Sequence, residues 1–157
     1  MFFVRWRFRR LERRLRENSR RFGDGILDHK DIKVLERFGA DATKLFIKAL
    51  NDDDGTVRRA AVLVLKRIKD RRAVDPLIAL VGSKISDDVV EALGEIGDAR
   101  AVDALISAFK INWGWLRTPN LRESTSEALR KIGAPAVEPL IQALTHLRQS
   151  MMPSARN

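Results

Sequence analysis

A motif that returns about every 30 residues constrains this chain more than any other feature. Ile68-Lys69-Asp70-Arg71-Arg72-Ala73-Val74-Asp75-Pro76-Leu77-Ile78 comes back as Ile96-Gly97-Asp98-Ala99-Arg100-Ala101-Val102-Asp103-Ala104-Leu105-Ile106. It returns again, one residue shorter, as Ile132-Gly133-Ala134-Pro135-Ala136-Val137-Glu138-Pro139-Leu140-Ile141. A diverged copy runs from Phe38-Gly39-Ala40-Asp41 into Leu45-Phe46-Ile47. The anchors Phe38, Ile68, Ile96 and Ile132 stand 30, 28 and 36 residues apart, which marks four units.

Each unit reads as two helices. In the second unit, Val57, Ala60, Ala61, Val64, Leu65 and Ile68 follow the spacing of an amphipathic helix. The matching stretches are Leu27–Phe38, Ile85–Ile96 and Leu121–Ile132. Gly39, Gly97 and Gly133 follow directly, where a left-handed C-cap favours glycine. Asp70 and Asp98 sit where the next helix needs an N-cap. Pro76 and Pro139 fall in the first turn of the second helix, where a missing N–H is tolerated. The second helices are expected over 42–51, 73–81, 101–110 and 136–147. One such pair cannot bury its own apolar face, but stacked neighbours can. The expected fold is therefore an all-α solenoid of about four helix pairs.

The run Val57-Arg58-Arg59-Ala60-Ala61, Leu65 to Ile68 and Ala73-Val74 to Leu77-Ile78 resembles the HEAT-like repeats of phycobilisome lyases. The resemblance covers about residues 26–147 and implies a HEAT-like solenoid. Proteins with such repeats include bilin lyase subunits, scaffolds and adaptors, a di-iron hydroxylase and DNA glycosylases, so the fold alone does not assign a function.

Several positions depart from the pattern. Lys30 and Asp31 replace the small residues Ala60 and Ala61, as suits a terminal, partly capping unit. Ser86 stands where Arg58 does. An insertion over 110–119 precedes the fourth unit and carries Trp113, Trp115 and Arg117. Insertions in solenoids fall along one edge, and this composition suits a binding surface. The alternative is that both tryptophans cover the core between units three and four.

The charge of +9 is unevenly spread. Residues 1–25 hold nine arginines against Glu12, Glu17 and Asp24, a net of +6. Val4, Phe8, Leu11 and Leu15 form a narrow stripe at helical spacing, with arginines over the remaining surface. Such an arm could cap the first unit. It could also present Arg5, Trp6, Arg9, Arg10, Arg13 and Arg14 to an anionic membrane or to nucleic-acid phosphates. Arginines interrupt every short apolar run near the N-terminus, and no run reaches a spanning length. A cytoplasmic location is expected.

Catalytic and metal chemistry is not evident. The chain has no cysteine and no tyrosine, and His29 and His146 stand at opposite ends of the array. No phosphate-cradling glycine loop or nucleophile elbow occurs. Asp52-Asp53-Asp54 and Asp87-Asp88 precede first helices, where carboxylates cap N-termini. We therefore expect no enzyme activity, no cofactor and no metal site.

The expected organisation is a basic amphipathic helix over 1–25, the solenoid over 26–147 and a flexible tail over 148–157. The expected function is that of a non-catalytic scaffold or adaptor. It would hold another protein on the second-helix face, concave in HEAT-like stacks, through Lys48, Asp75, Asp103, Ser107, Glu138 and Gln142. Trp113, Trp115 and Arg117 would extend that surface. The alternatives are a subunit of a bilin-lyase-like or other modifying enzyme, and a membrane or nucleic-acid binder acting through the arm.

Overall fold

The structure, a computed structural model, describes residues 39–83, 86–111 and 120–151, together with Trp6, Arg9, Arg10 and Arg13. From residue 39 onward the described residues form seven α-helices and no strand. In chain order they are α1 (Gly39–Ala49), α2 (Gly55–Ile68), α3 (Val74–Ile78), α4 (Ser86–Ile96), α5 (Val102–Ile111), α6 (Leu121–Ile132) and α7 (Val137–Met151). The first helices α2, α4 and α6 pack side by side in one layer, α1, α3 and α5 lie against them as the second layer, and α7 extends that layer beside α5. The expected all-α solenoid of helix pairs is thus the observed architecture. The first helix of unit one, expected over 27–38, lies outside the described residues.

The joint inside each unit follows from its sequence. A 3-10 turn leads into each of the last three second helices, over Arg71–Ala73, Ala99–Ala101 and Ala134–Ala136. The carboxylates of Asp70 and Asp98 each accept from the backbone N–H two residues on, Arg72 and Arg100, at 3.0 Å. That satisfies one of the donors every helix start leaves open. Gly97 and Gly133 end the preceding helices at φ 70° and 77°, their N–H groups donating to the carbonyls of Leu93 and Leu129. In unit two the same left-handed position is held by Lys69, at φ 55°.

Two expectations are corrected here. Gly39 is helical, at the start of α1 as described, and Asp41 lies in the same helix. The α3 helix ends at Ile78 rather than at residue 81, because Leu80 and Val81 donate back to Leu77 and Ile78 in tight turns. In the other direction α7 runs on to Met151.

The core lies between the two layers. Phe46, Leu50, Leu65, Leu77, Leu93 and Leu105 are its largest fully buried side chains, with Val62, Val64, Val74, Val89 and Val90 around them. Small residues set the spacing of the first helices. Ala60, Ala61, Ala92, Gly94 and Ala128 are buried. A Cβ built on Gly94 would lie 2.6 Å from Ala128 Cα, so α4 and α6 approach too closely there for any side chain. Buried Thr43 donates to Asp70 at 2.9 Å, tying α1 to the joint of the next unit.

Candidate interaction surfaces

The second-helix layer presents a line of polar side chains. Asp75 on α3, Asp103 on α5 and Glu138 on α7 occupy the same repeat position, and all are exposed. Lys48 on α1, Ser107 on α5 and Gln142 on α7 occupy the position one turn later and are exposed too. On α3 and α5 the alternation has a simple cause: Val74, Leu77, Val102 and Leu105 are buried and fix the helix rotation. Asp75 accepts from Arg100 Nη1 at 2.7 Å, while Arg100 Nη2 donates to the Arg71 carbonyl at 2.9 Å. Arg100 thereby stitches unit three to unit two along this edge. Ser107 Oγ donates to the Asp103 carbonyl, and Gln142 Nε2 to Glu138, so both ridge positions are locally oriented.

The opposite layer carries ion pairs between neighbouring first helices. Arg59 Nε on α2 meets Asp88 on α4 at 2.7 Å, and Lys66 on α2 meets Glu91 on α4. Glu95 on α4 accepts from Lys131 on α6 at 2.7 Å and from Lys69, just past α2, at 2.6 Å. Those two hydrogen bonds, Lys131's the larger, hold the Glu95 carboxyl down to a pKa of about 2. The signs alternate: basic α2, acidic α4, and a basic side of α6 turned toward α4. An open polar groove of about 790 Å³ runs beside α6, lined by Glu91, Glu123, Glu127 and Lys131 among others. Its charges include the pairs Lys66–Glu91, Lys131–Glu95 and Arg130–Glu127.

The acidic runs have structural work. Asp54 caps α2 through the Thr56 N–H, and Asp52 accepts from the Asp54 N–H, each at 2.9 Å. Arg58 Nη1 donates to the carbonyls of Asp52 and Asp53 at 2.7 and 3.0 Å. Asp88 is engaged by Arg59, and burial raises the pKa of Asp87, helped by the nearby Asp88 and Glu91 charges. Among the described residues no three His, Cys, Asp or Glu side chains gather where they could hold a metal ion. His146 is exposed on α7, and His29 lies outside the described residues.

Of the arm residues, Trp6, Arg9, Arg10 and Arg13 are helical and exposed, with the Arg10 guanidinium 5.7 Å from the Trp6 ring centre. Arg5 and Arg14 lie outside the described residues, as do Trp113, Trp115 and Arg117. No described helix is long and apolar enough to cross a membrane.

A groove at the last repeat was not anticipated from the sequence. Ile106 and Phe109 of α5, Leu129 of α6, and Leu140 and Leu144 of α7 line a space of about 540 Å³. The signal was present: Val137 and Ile141 align with Val74 and Ile78 and with Val102 and Ile106, apolar positions of the earlier units.

Stacked helix pairs, joined by capped turns and exposing an ordered polar ridge, define an α-solenoid repeat protein. Residues 27–90 match the HEAT repeats, and residues 88–110 and 121–146 match the PBS lyase HEAT-like repeat. The chain belongs to the HEAT-repeat family, whose repeats generally mediate protein interaction. No curated protein matched the chain.

Proposed function

We propose that the chain is a non-catalytic protein-interaction module that holds a partner along its second-helix ridge. One observation carries this reading. Asp75, Asp103 and Glu138 recur at one repeat position and are all exposed, and buried Val74, Leu77, Val102 and Leu105 fix the direction of the first two. A rigid ridge with acidic groups at regular spacing suits a partner with a basic face, and charge complementarity governs encounter rate and specificity. Trp113, Trp115 and Arg117, in the segment between α5 and α6, are proposed to extend the surface. The test is affinity capture from nuclease-treated lysate with the parent chain, an Asp75→Arg/Asp103→Arg variant and a Trp113→Ala/Trp115→Ala variant. Loss of the same captured protein with the charge-reversed ridge, at unchanged circular dichroism, supports the proposal. Capture indifferent to both variants refutes it.

A second reading rests on the exposed, helical Trp6, Arg9, Arg10 and Arg13, with the Arg10 guanidinium over the Trp6 ring. That combination suits an anionic surface, with the indole at the interface and the guanidinium groups on phosphates. Steep loss of binding to anionic vesicles or nucleic acid with added salt, abolished by deleting residues 1–22, would favour it. Binding that is insensitive to salt would dismiss it.

A further inference from the structure

We propose that two copies of this chain associate through α7, each laying its apolar ridge along the other's groove. Inside the stack, the positions equivalent to Val137 and Ile141 are buried, except that Ile78 is half-buried. Val74 and Val102 are 0% and 3% exposed, and Ile106 is 7% exposed. At the open end, Val137, Ile141 and Leu144 are 55%, 52% and 64% exposed. Residues of a type used to join units thus stand uncovered on α7.

The shape of the patch selects its occupant. On α6 the outer position has turned polar: exposed Ser126 stands where buried Val62 and Val90 do in the earlier units. A further helix pair would need both sides of the end to be apolar. Here only the α5–α7 side is, a strip one helix wide. Val137 and Leu144 themselves line the groove formed with Ile106, Phe109, Leu129 and Leu140. The patch is therefore ridge and groove at once, which is what a twofold contact between identical surfaces requires.

Charge fixes the direction of pairing. Val137, Ile141, Leu144 and Arg148 fall at i, i+4, i+7 and i+11, one stripe along α7. An antiparallel pairing about an axis between Ile141 and Leu144 sets Ile141 against the partner's Leu144. It also sets Val137 against the partner's Arg148, whose guanidinium then reaches Glu138, exposed on the flank of the same turn. The twofold repeats this Glu138–Arg148 pair at the other end of the helix. A parallel pairing would put Glu138 beside Glu138 and Arg148 beside Arg148. Three half-exposed side chains per copy make a small interface, so the association is weak and reversible, at the low end of specific contacts.

Sedimentation equilibrium of the full chain over about 5 to 500 µM tests this, a range matched to such small interfaces. The expected result is a shift from 17.8 kDa toward twice that mass as concentration rises. Leu144→Glu should weaken dimerisation at least about tenfold. Glu138→Arg alone should weaken it, and Glu138→Arg with Arg148→Glu should restore it. All of these positions are solvent-exposed, so folding is retained and is checked by circular dichroism. A chain that stays monomeric throughout overturns the proposal, as does a dimer indifferent to Leu144→Glu. A dimer lost with Leu144→Glu but not restored by the charge exchange overturns the antiparallel register.

Discussion

Replacing Gly94 with alanine should destabilise the protein, although the same change in an isolated helix stabilises it. Alanine is worth about 1 kcal/mol over glycine in a helix interior. Against this, the new Cβ would sit 2.6 Å from Ala128 Cα and 2.7 Å from Ala128 Cβ. Carbon atoms rest about 3.5–4.0 Å apart, so α4 and α6 would have to part by about 1 Å. Neither Ala128 atom is the end of a flexible chain that could swing away. Parting the helices also loosens the Glu95–Lys131 ion pair at the same seam. Overpacking of a tight core costs about 1–3 kcal/mol, and a backbone clash of this kind belongs at the upper end. The net loss is about 2 kcal/mol, or roughly 4–8 °C in midpoint for a chain of this size. Thermal and urea unfolding followed by far-UV circular dichroism measure it. Ala128→Gly in the same chain should recover only part, since the clash with the α6 backbone at that position remains. An unchanged or raised midpoint for Gly94→Ala would refute the close approach of α4 and α6.

Two further predictions concern the seams and the core. Glu95 has its pKa lowered from 4.5 to about 2, so its contribution is complete above pH 4.5 and is lost as pH falls toward 2. Glu95→Gln should lower stability near neutral pH by about 1 kcal/mol, the lysines being partly screened by solvent, and the difference should vanish at the acid end; a pH-independent difference in urea midpoints contradicts this. Leu77→Ala, at a fully buried site, should cost about 2–5 kcal/mol, whereas Leu140→Ala at the same repeat position on the half-covered end should cost less than about 1.5 kcal/mol; equal losses would mean that the end is as well packed as the middle.

Much of the fold was legible because a repeat states its rule several times. Asp70 and Asp98 announced the capped joints, and Val57, Ala60, Ala61, Val64 and Leu65 announced the buried face of α2. Where the rule is stated once and in diverged form it is less legible: Gly39 aligns with the other glycines but is itself helical. The end of α3 was misplaced because Leu80 and Val81 keep the apolar pattern while the backbone tightens into turns. Gly94 gave no signal, since a glycine inside a helix shows its purpose only when the facing Ala128 is known. The exposure of the ridge residues followed from periodicity. The groove at α7 did not, because it depends on what no neighbouring unit covers.

The alternating charge of the first helices has a consequence for how this rod comes apart. Each ion pair described between first-helix layers passes through α4, whose Asp88, Glu91 and Glu95 face cations on both sides. Opening at either end can halt at a seam that is still closed. Opening at α4 leaves two short helical stumps whose facing edges, Arg59, Lys66 and Lys69 against Lys131, repel each other. The third unit is thus where both seams are balanced, and a ligand that grips α4 would hold both of them at once.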